Sequence, residues 1–200
     1  MGTRAITLIR RRSAKRKEKC LLGGSVKSQY FYEYYVCIYH HFDGYVVNGL
    51  GEWLADFLQK FTKNLSTYVD TGILGAKLIE GLYSSSFSNI RLMCIDPLEE
   101  IFRADYSYAY IITVSYNSNH CFDNNSIMLS VFMNNNFLTA RPEKFLEKYI
   151  YYETQMEENG KSFAEISYDD VEVEKDGFLS EDQLLVEFLK DEISWLRDCP

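Results

Sequence analysis

The stretch QYFYEYYVCIYHHFDGYVVNGLG, residues 29–51, decides the fold of this chain. Its first part, 29–41, is dense in aromatic and β-branched residues at both parities. That pattern predicts a long central strand covered on both faces. Three glycines and one asparagine then fall within residues 43–51, which predicts a tight turn with positive φ angles or close backbone approaches.

The rest of the chain alternates between helical and strand patterns. Apolar residues at helical spacing predict helices over 51–63 and 73–83, and Pro142 suits the first turn of a helix that runs to about Glu157. Short β-branched or aromatic runs predict strands over 3–10, 90–95 and 106–116, and a hairpin from 127–133 and 137–139. We therefore predict an α+β fold with a mostly antiparallel sheet and helices packed on one side.

The last part of the sequence differs in composition from the rest. Residues 152–200 carry fifteen acidic and four basic side chains. Ser180 and Gln183 form a capping box before an amphipathic final helix. We predict an α+β core domain over 1–157 and an acidic C-terminal extension over 158–200. The final helix packs either on the chain's own sheet or on a partner.

Composition narrows the class of protein. No window holds the 18 or more apolar residues of a membrane span, so we expect no membrane partner. The first residues lack the charge order and cleavage site of a secretory signal. Five cysteines without a CxxC pair argue against a disulfide framework. These features together predict a cytoplasmic protein, and none of them indicates a cofactor.

A basic cluster lies near the start of the chain. Residues 1–28 carry nine basic side chains and one acidic one, most of them within 10–19. In an acidic chain this pattern favours a solvated loop. Nucleic-acid contact through 10–19 is the weaker alternative, because the run lacks interleaved aromatic residues.

Two short motifs resemble a known family. The chain begins Met1-Gly2-Thr3-Arg4, and its turn carries Asp43-Gly44-Tyr45 followed by Gly49-Leu50-Gly51. This combination resembles a family of uncharacterised phage, bacterial and fungal proteins that begin MGTR and carry a DGYP-x-G-x-G turn before a helix. The likeness covers residues 1–150. This chain departs from it at Val46, where the family has proline, and by one extra residue before Gly49. The resemblance implies a phage or mobile-element context.

The matched residues form the candidate ligand- or partner-binding site. They are Arg4, Asp43, Gly44, Tyr45, Gly49 and Gly51. If the first two strands pair, Arg4 lies beside Asp43 and the two form an ion pair. This pair either locks the turn to the first strand or lines a small-molecule pocket. In the pocket interpretation the amides of 49–51 bind an anion, although the charge of Glu52 opposes it.

We expect no catalytic residue and no metal site. His40 and His41 are adjacent on a strand, so they point to opposite faces and cannot both ligate one ion with Cys37. Cys37 and His120 have no local motif that indicates a nucleophile and its base.

Two functions are consistent with these features. The first is a non-enzymatic binding protein, encoded by a phage or mobile element, that acts on a host protein; an inhibitor of a host defence system is one form of it. The abundance of tyrosine favours this function, because tyrosine provides contact area at low entropic cost. The alternative is a small-molecule-binding protein or enzyme with a pocket around Arg4, Asp43 and Tyr45. The sequence leaves the oligomeric state open.

Overall fold

A computed structural model describes residues 2–14, 30–63, 69–95, 105–116, 127–133 and 136–159. Within these ranges the chain forms six strands and three helices. In chain order they are β1 Ala5–Ala14, β2 Tyr30–His40, α1 Leu50–Lys63, α2 Thr71–Tyr83, β3 Ile90–Leu92, β4 Tyr108–Tyr116, β5 Ile127–Met133, β6 Asn136–Ala140 and α3 Pro142–Asn159. No helix in the described part of the chain is long and apolar enough to cross a membrane.

The strands form one sheet in the order β3-β2-β1-β4-β5-β6. Four of the five pairings are antiparallel, and β1 with β4 is the parallel one. This confirms the predicted α+β fold with a mostly antiparallel sheet. The prediction that β2 is central was wrong, because β1 and β4 occupy the middle. β2 has β3 beside it only over Ile38–His40.

All three described helices pack on one face of the sheet, as predicted. Their buried leucines and aromatic residues share one core with every second residue of the central strands, among them Ala5 and Ile9 of β1 and Tyr110 and Ile112 of β4. The helices bury an apolar stripe because their apolar residues recur at helical spacing. Asp70 caps α2, since its carboxylate accepts a hydrogen bond from the Ile73 N–H at 2.9 Å.

The opposite face of the sheet holds a second apolar cluster. Its centre is formed by Ile6, Leu8, Cys37 and Ile111, which are all buried, with Phe132 beside them. The alternation of side chains along a strand places these residues opposite the helix-facing ones. Both faces of the sheet are therefore apolar at their centres.

Arg10 and Arg12 lie within strand β1. The prediction that the basic cluster forms a solvated loop was therefore wrong for these two residues. Their side chains are only 1% and 5% exposed, so they cannot contact phosphates. Arg10 donates from Nε to the Thr113 hydroxyl at 2.9 Å, and its guanidinium lies 4.0 Å from the centroid of the Tyr32 ring. β1 extends four residues past Arg10, because β2 pairs with it as far as Ala14 and β4 as far as Ser13.

Two predicted features lie outside the described residues. They are the basic residues 15–19 and the acidic extension with its capping box at Ser180. The extension and its amphipathic helix stay a prediction, and α3 itself continues to Asn159.

Candidate functional site

The turn after β2 obtains its shape from two residues with positive φ. Asp43 has φ 58° and Asn48 has φ 54°. Aspartate and asparagine tolerate this left-handed conformation better than other residues with a Cβ, because their short side chains hydrogen-bond locally. The predicted positive φ angles are therefore present, but at these two residues and not at the glycines.

The glycines of the turn are required by close approaches. A Cβ at Gly44 would lie 2.8 Å from the Ala5 Cβ and 3.0 Å from the Thr3 carbonyl oxygen. A Cβ at Gly49 would lie 2.5 Å from the Tyr45 carbonyl oxygen. Both positions are too tight for any side chain, so the turn packs directly on β1 and on itself.

Backbone hydrogen bonds fix the turn to the start of α1. Leu50 donates to the Asp43 carbonyl at 2.9 Å, and Gly51 donates to the Tyr45 carbonyl at 3.0 Å. The Glu52 carboxylate accepts from the Asn48 N–H at 2.8 Å, as in a capping box. The amides of Leu50 and Gly51 are therefore already used, which argues against the anion binding that the pocket interpretation gives to residues 49–51.

The N-terminal residues contact the turn directly. The Thr3 carbonyl accepts a hydrogen bond from the Gly44 N–H at 2.9 Å. A Cβ at Gly2 would overlap the ring of Phe42. The described residues of the two motifs that carry the family resemblance, 2–4 and 43–51, therefore meet at one end of the sheet.

Arg4 pairs with Asp105 and not with Asp43, so the predicted ion pair was wrong. The reason is the alternation of β1: Ala5 faces the turn, whereas Arg4 has the parity of Ile6 and points away from it. Asp105 precedes β4, the parallel neighbour of β1. The Asp105 side chain is 82% exposed, so this pair stabilises the fold little.

Tyr45 extends a row of tyrosines on the helix face. Its ring centroid lies 6.4 Å from that of Tyr108, which stacks on Tyr110 at 6.3 Å. The Tyr110 hydroxyl donates to the Gly44 carbonyl at 2.8 Å. Burial raises the pKa of Tyr110 well above its usual value, and burial together with the nearby Glu153 carboxylate raises the pKa of Tyr149. These hydroxyls stay protonated and act as hydrogen-bond donors, not as bases.

Two aromatic side chains on the turn are half exposed. Phe42 and Tyr45 each retain 48% of their surface in contact with solvent, although each is attached to backbone that hydrogen bonds and close packing hold in place. Exposed aromatic residues on a fixed backbone are typical of contact surfaces, because little conformational entropy is lost when they bind. We call Phe42, Asp43 and Tyr45 the turn surface.

A cavity of about 240 Å³ lies on the Asp43 side of the turn. It is lined by His40, Phe42, Asp43, Ser86, Phe87 and Asn89. Neither Arg4 nor Tyr45 lines it, so the structure separates the three residues around which the sequence predicts a pocket.

His40 was not among the predicted site residues, yet it is the most buried residue that lines this cavity. Its side chain is 2% exposed, and its Nε2 lies 2.9 Å from the Thr7 hydroxyl. Its Nδ1 is buried without a hydrogen-bond partner among the described residues. Burial lowers the pKa of His40 from 6.5 to about 4, so the imidazole is neutral at pH 7. Among the sequence signals, the His40-His41 doublet at a strand end could have located it, since one of the two must face inward.

Cys37 has no features of a nucleophile. It lies in the second apolar cluster, and burial raises the pKa of its thiol to about 12. The thiolate, which is the reactive form, is therefore negligible at neutral pH. His120, its conceivable partner in the sequence, is outside the described residues.

No family model matches the chain, and no curated protein or solved structure matches it either.

Proposed function

We propose that this protein is a non-enzymatic binding protein and that the turn surface contacts a macromolecular partner. The observation that carries the proposal is the half exposure of Phe42 and Tyr45 on a locked turn. Aromatic residues held in one conformation dominate the energetics of protein interfaces.

The family resemblance supports a host protein as this partner. Among the residues that carry it, Gly2, Thr3 and Gly44 make the contacts that pack the turn against the residues before β1. In the phage context that the resemblance implies, the concrete form of the proposal is an inhibitor of a host defence system. The formal net charge of −8 favours a partner with a basic surface.

The alternative function is small-molecule binding or catalysis near Asp43. The cavity beside Asp43 favours binding of a small ligand, because a buried imidazole and a carboxylate both line it. The groups with resolved pKa shifts argue against acid–base or nucleophilic catalysis. The pKa of His40 is lowered to about 4, which makes its neutral imidazole a weak base, and the pKa of Cys37 is raised to about 12, which leaves its reactive thiolate negligible near neutral pH.

The test compares how well the wild-type protein and variants of two exposed tyrosines capture a partner. The immobilised protein is incubated with a bacterial lysate, and retained proteins are identified by mass spectrometry. Tyr45→Ser removes one of the two aromatic rings of the turn surface, whereas Tyr35→Ser removes a similarly exposed ring, 39% exposed, roughly 17 Å from His40 along β2. A protein retained by the wild type and by Tyr35→Ser, but lost with Tyr45→Ser, supports the proposal. Equal retention by all three forms, or none by any, contradicts it.

A further inference from the structure

The cavity beside Asp43 is assembled from two separate parts of the chain. The end of β2 and the turn supply His40, Phe42 and Asp43, and the connection after α2 supplies Ser86, Phe87 and Asn89. β3 follows this connection and pairs Ile90 with His40, which holds the two parts together. The cavity is therefore built on a strand pairing and not on a free loop.

Its chemistry is that of a site for hydrogen-bond donors. The Asp43 carboxylate makes no hydrogen bond or ion pair with any described residue, and the serine hydroxyl and asparagine carbonyl of the lining add acceptors. His40 donates from Nε2 to the Thr7 hydroxyl when its Nδ1 carries the lone pair, and this Nδ1 is buried without a hydrogen-bond partner among the described residues. Burial keeps this imidazole neutral, because its pKa is about 4.

The lining also favours a flat cation. Phe42 and Phe87 contribute aromatic rings to the lining, and no basic residue of the described part of the chain lines the cavity. The nearby Arg91 is opposite Tyr39 in the strand pairing and lies over that ring at 5.2 Å. Tyr39 belongs to the second apolar cluster, so the Arg91 charge is on the other side of the sheet.

We propose that this cavity binds the guanidinium group of an arginine side chain presented by the partner, an inference that rests on the proposed function. A guanidinium is planar, carries five N–H donors and stacks on aromatic rings, whereas an ammonium is a compact and strongly hydrated point charge. The exposed Asp43 carboxylate takes two of the donors as a bidentate pair, and the aromatic rings of the lining pack against the plane of the guanidinium.

The test uses N-acetyl-arginine methylamide as the probe and the citrulline analogue as its neutral isostere. The protein carries ¹³C-labelled histidine, and the imidazole signals of its three histidines are assigned from His40→Gln and His41→Gln. We expect the arginine probe to shift the His40 signal saturably and the citrulline analogue to leave it unchanged. Equal shifts with both probes, or no shift at the solubility limit, overturn the proposal.

A matched pair of variants tests whether the probe binds in the cavity beside Asp43. Asp43→Asn keeps the turn, because asparagine also tolerates the φ of 58° at this position, and it removes the charge. We expect Asp43→Asn to lower the affinity for the arginine probe by about tenfold or more. Asp56→Asn removes an exposed carboxylate of α1 that does not line the cavity, and we expect unchanged affinity. Equal affinities for Asp43→Asn and the wild type overturn the assignment to this cavity.

This experiment can fail independently of the proposed function. If the probe does not bind but capture of a protein still depends on Tyr45, the arginine site is wrong and the turn surface stands. If the probe binds and depends on Asp43 while no protein is captured, the guanidinium site stands and the macromolecular partner is wrong.

Discussion

Acidification tests the burial of His40 most directly. At pH 7 its imidazole is neutral in both the folded and the unfolded chain. As the pH falls below 6.5 the unfolded chain binds a proton at this residue, whereas the folded chain does so only near pH 4. The unfolded state is therefore favoured progressively between these values, and the loss of stability levels off below pH 4.

The size of this effect follows from the pKa difference. One pKa unit corresponds to about 1.4 kcal/mol, so a shift from 6.5 to about 4 removes about 3 kcal/mol of stability at low pH. Carboxylates also titrate in this range, and a variant is needed to separate their contribution. His40→Gln has no titrating group, and its amide can replace Nε2 in the hydrogen bond to Thr7.

The assay is urea unfolding followed by circular dichroism at several pH values from 7 to 4. We expect the wild type to lose about 3 kcal/mol more than His40→Gln over this interval. At pH 7 the variant should differ from the wild type by only about 1 kcal/mol, the typical worth of one hydrogen bond. Parallel pH profiles for the two proteins would refute the burial of a neutral imidazole at this position.

Three further predictions follow from the packing. Gly44→Ala should destabilise the fold by about 1–3 kcal/mol in urea unfolding, because its Cβ meets Ala5 and backbone, whereas Gly72→Ala on the exposed first turn of α2 should cost less than about 0.5 kcal/mol. Arg10→Ala should cost about 2–5 kcal/mol in the same assay, because it empties a buried site and removes a hydrogen bond; a cost under about 1 kcal/mol would contradict the burial. Peptide mapping after brief iodoacetamide treatment should find Cys94 alkylated and Cys37 untouched until urea is added.

Local patterns were enough to predict the described secondary structure. Each of the six strands and three helices lies where periodicity and turn residues place one, with most ends within two residues. The largest difference is β1, predicted to end at Arg10 and observed to end at Ala14. Three consecutive arginines indicate a loop when their neighbours are unknown. In the structure, pairing with two strands and the ring of Tyr32 make their burial possible.

The pairing of strands that are distant in sequence was less predictable. This pairing determines which residues come together at the candidate site. The position of Arg4 beside Asp105 follows from the parallel pairing of β1 with β4, which no local pattern encodes. The cavity depends on residues 86–89, which reach His40 only because β3 pairs with β2. The turn itself was predicted because its glycines are a local signal, and their reason is contact with β1.

The place of β1 in the sheet has a consequence for how the chain reaches its native state. β1 leaves the ribosome before both of its partners, β2 and β4, and the last residue of β4 is Tyr116. Contacts so distant in sequence close large loops, which slows folding. Until β4 has been synthesised, one edge of β1 stays unpaired, with Leu8 and Ile9 on its two faces. Nascent chains halted before Tyr116 should therefore be prone to aggregate or to recruit chaperones.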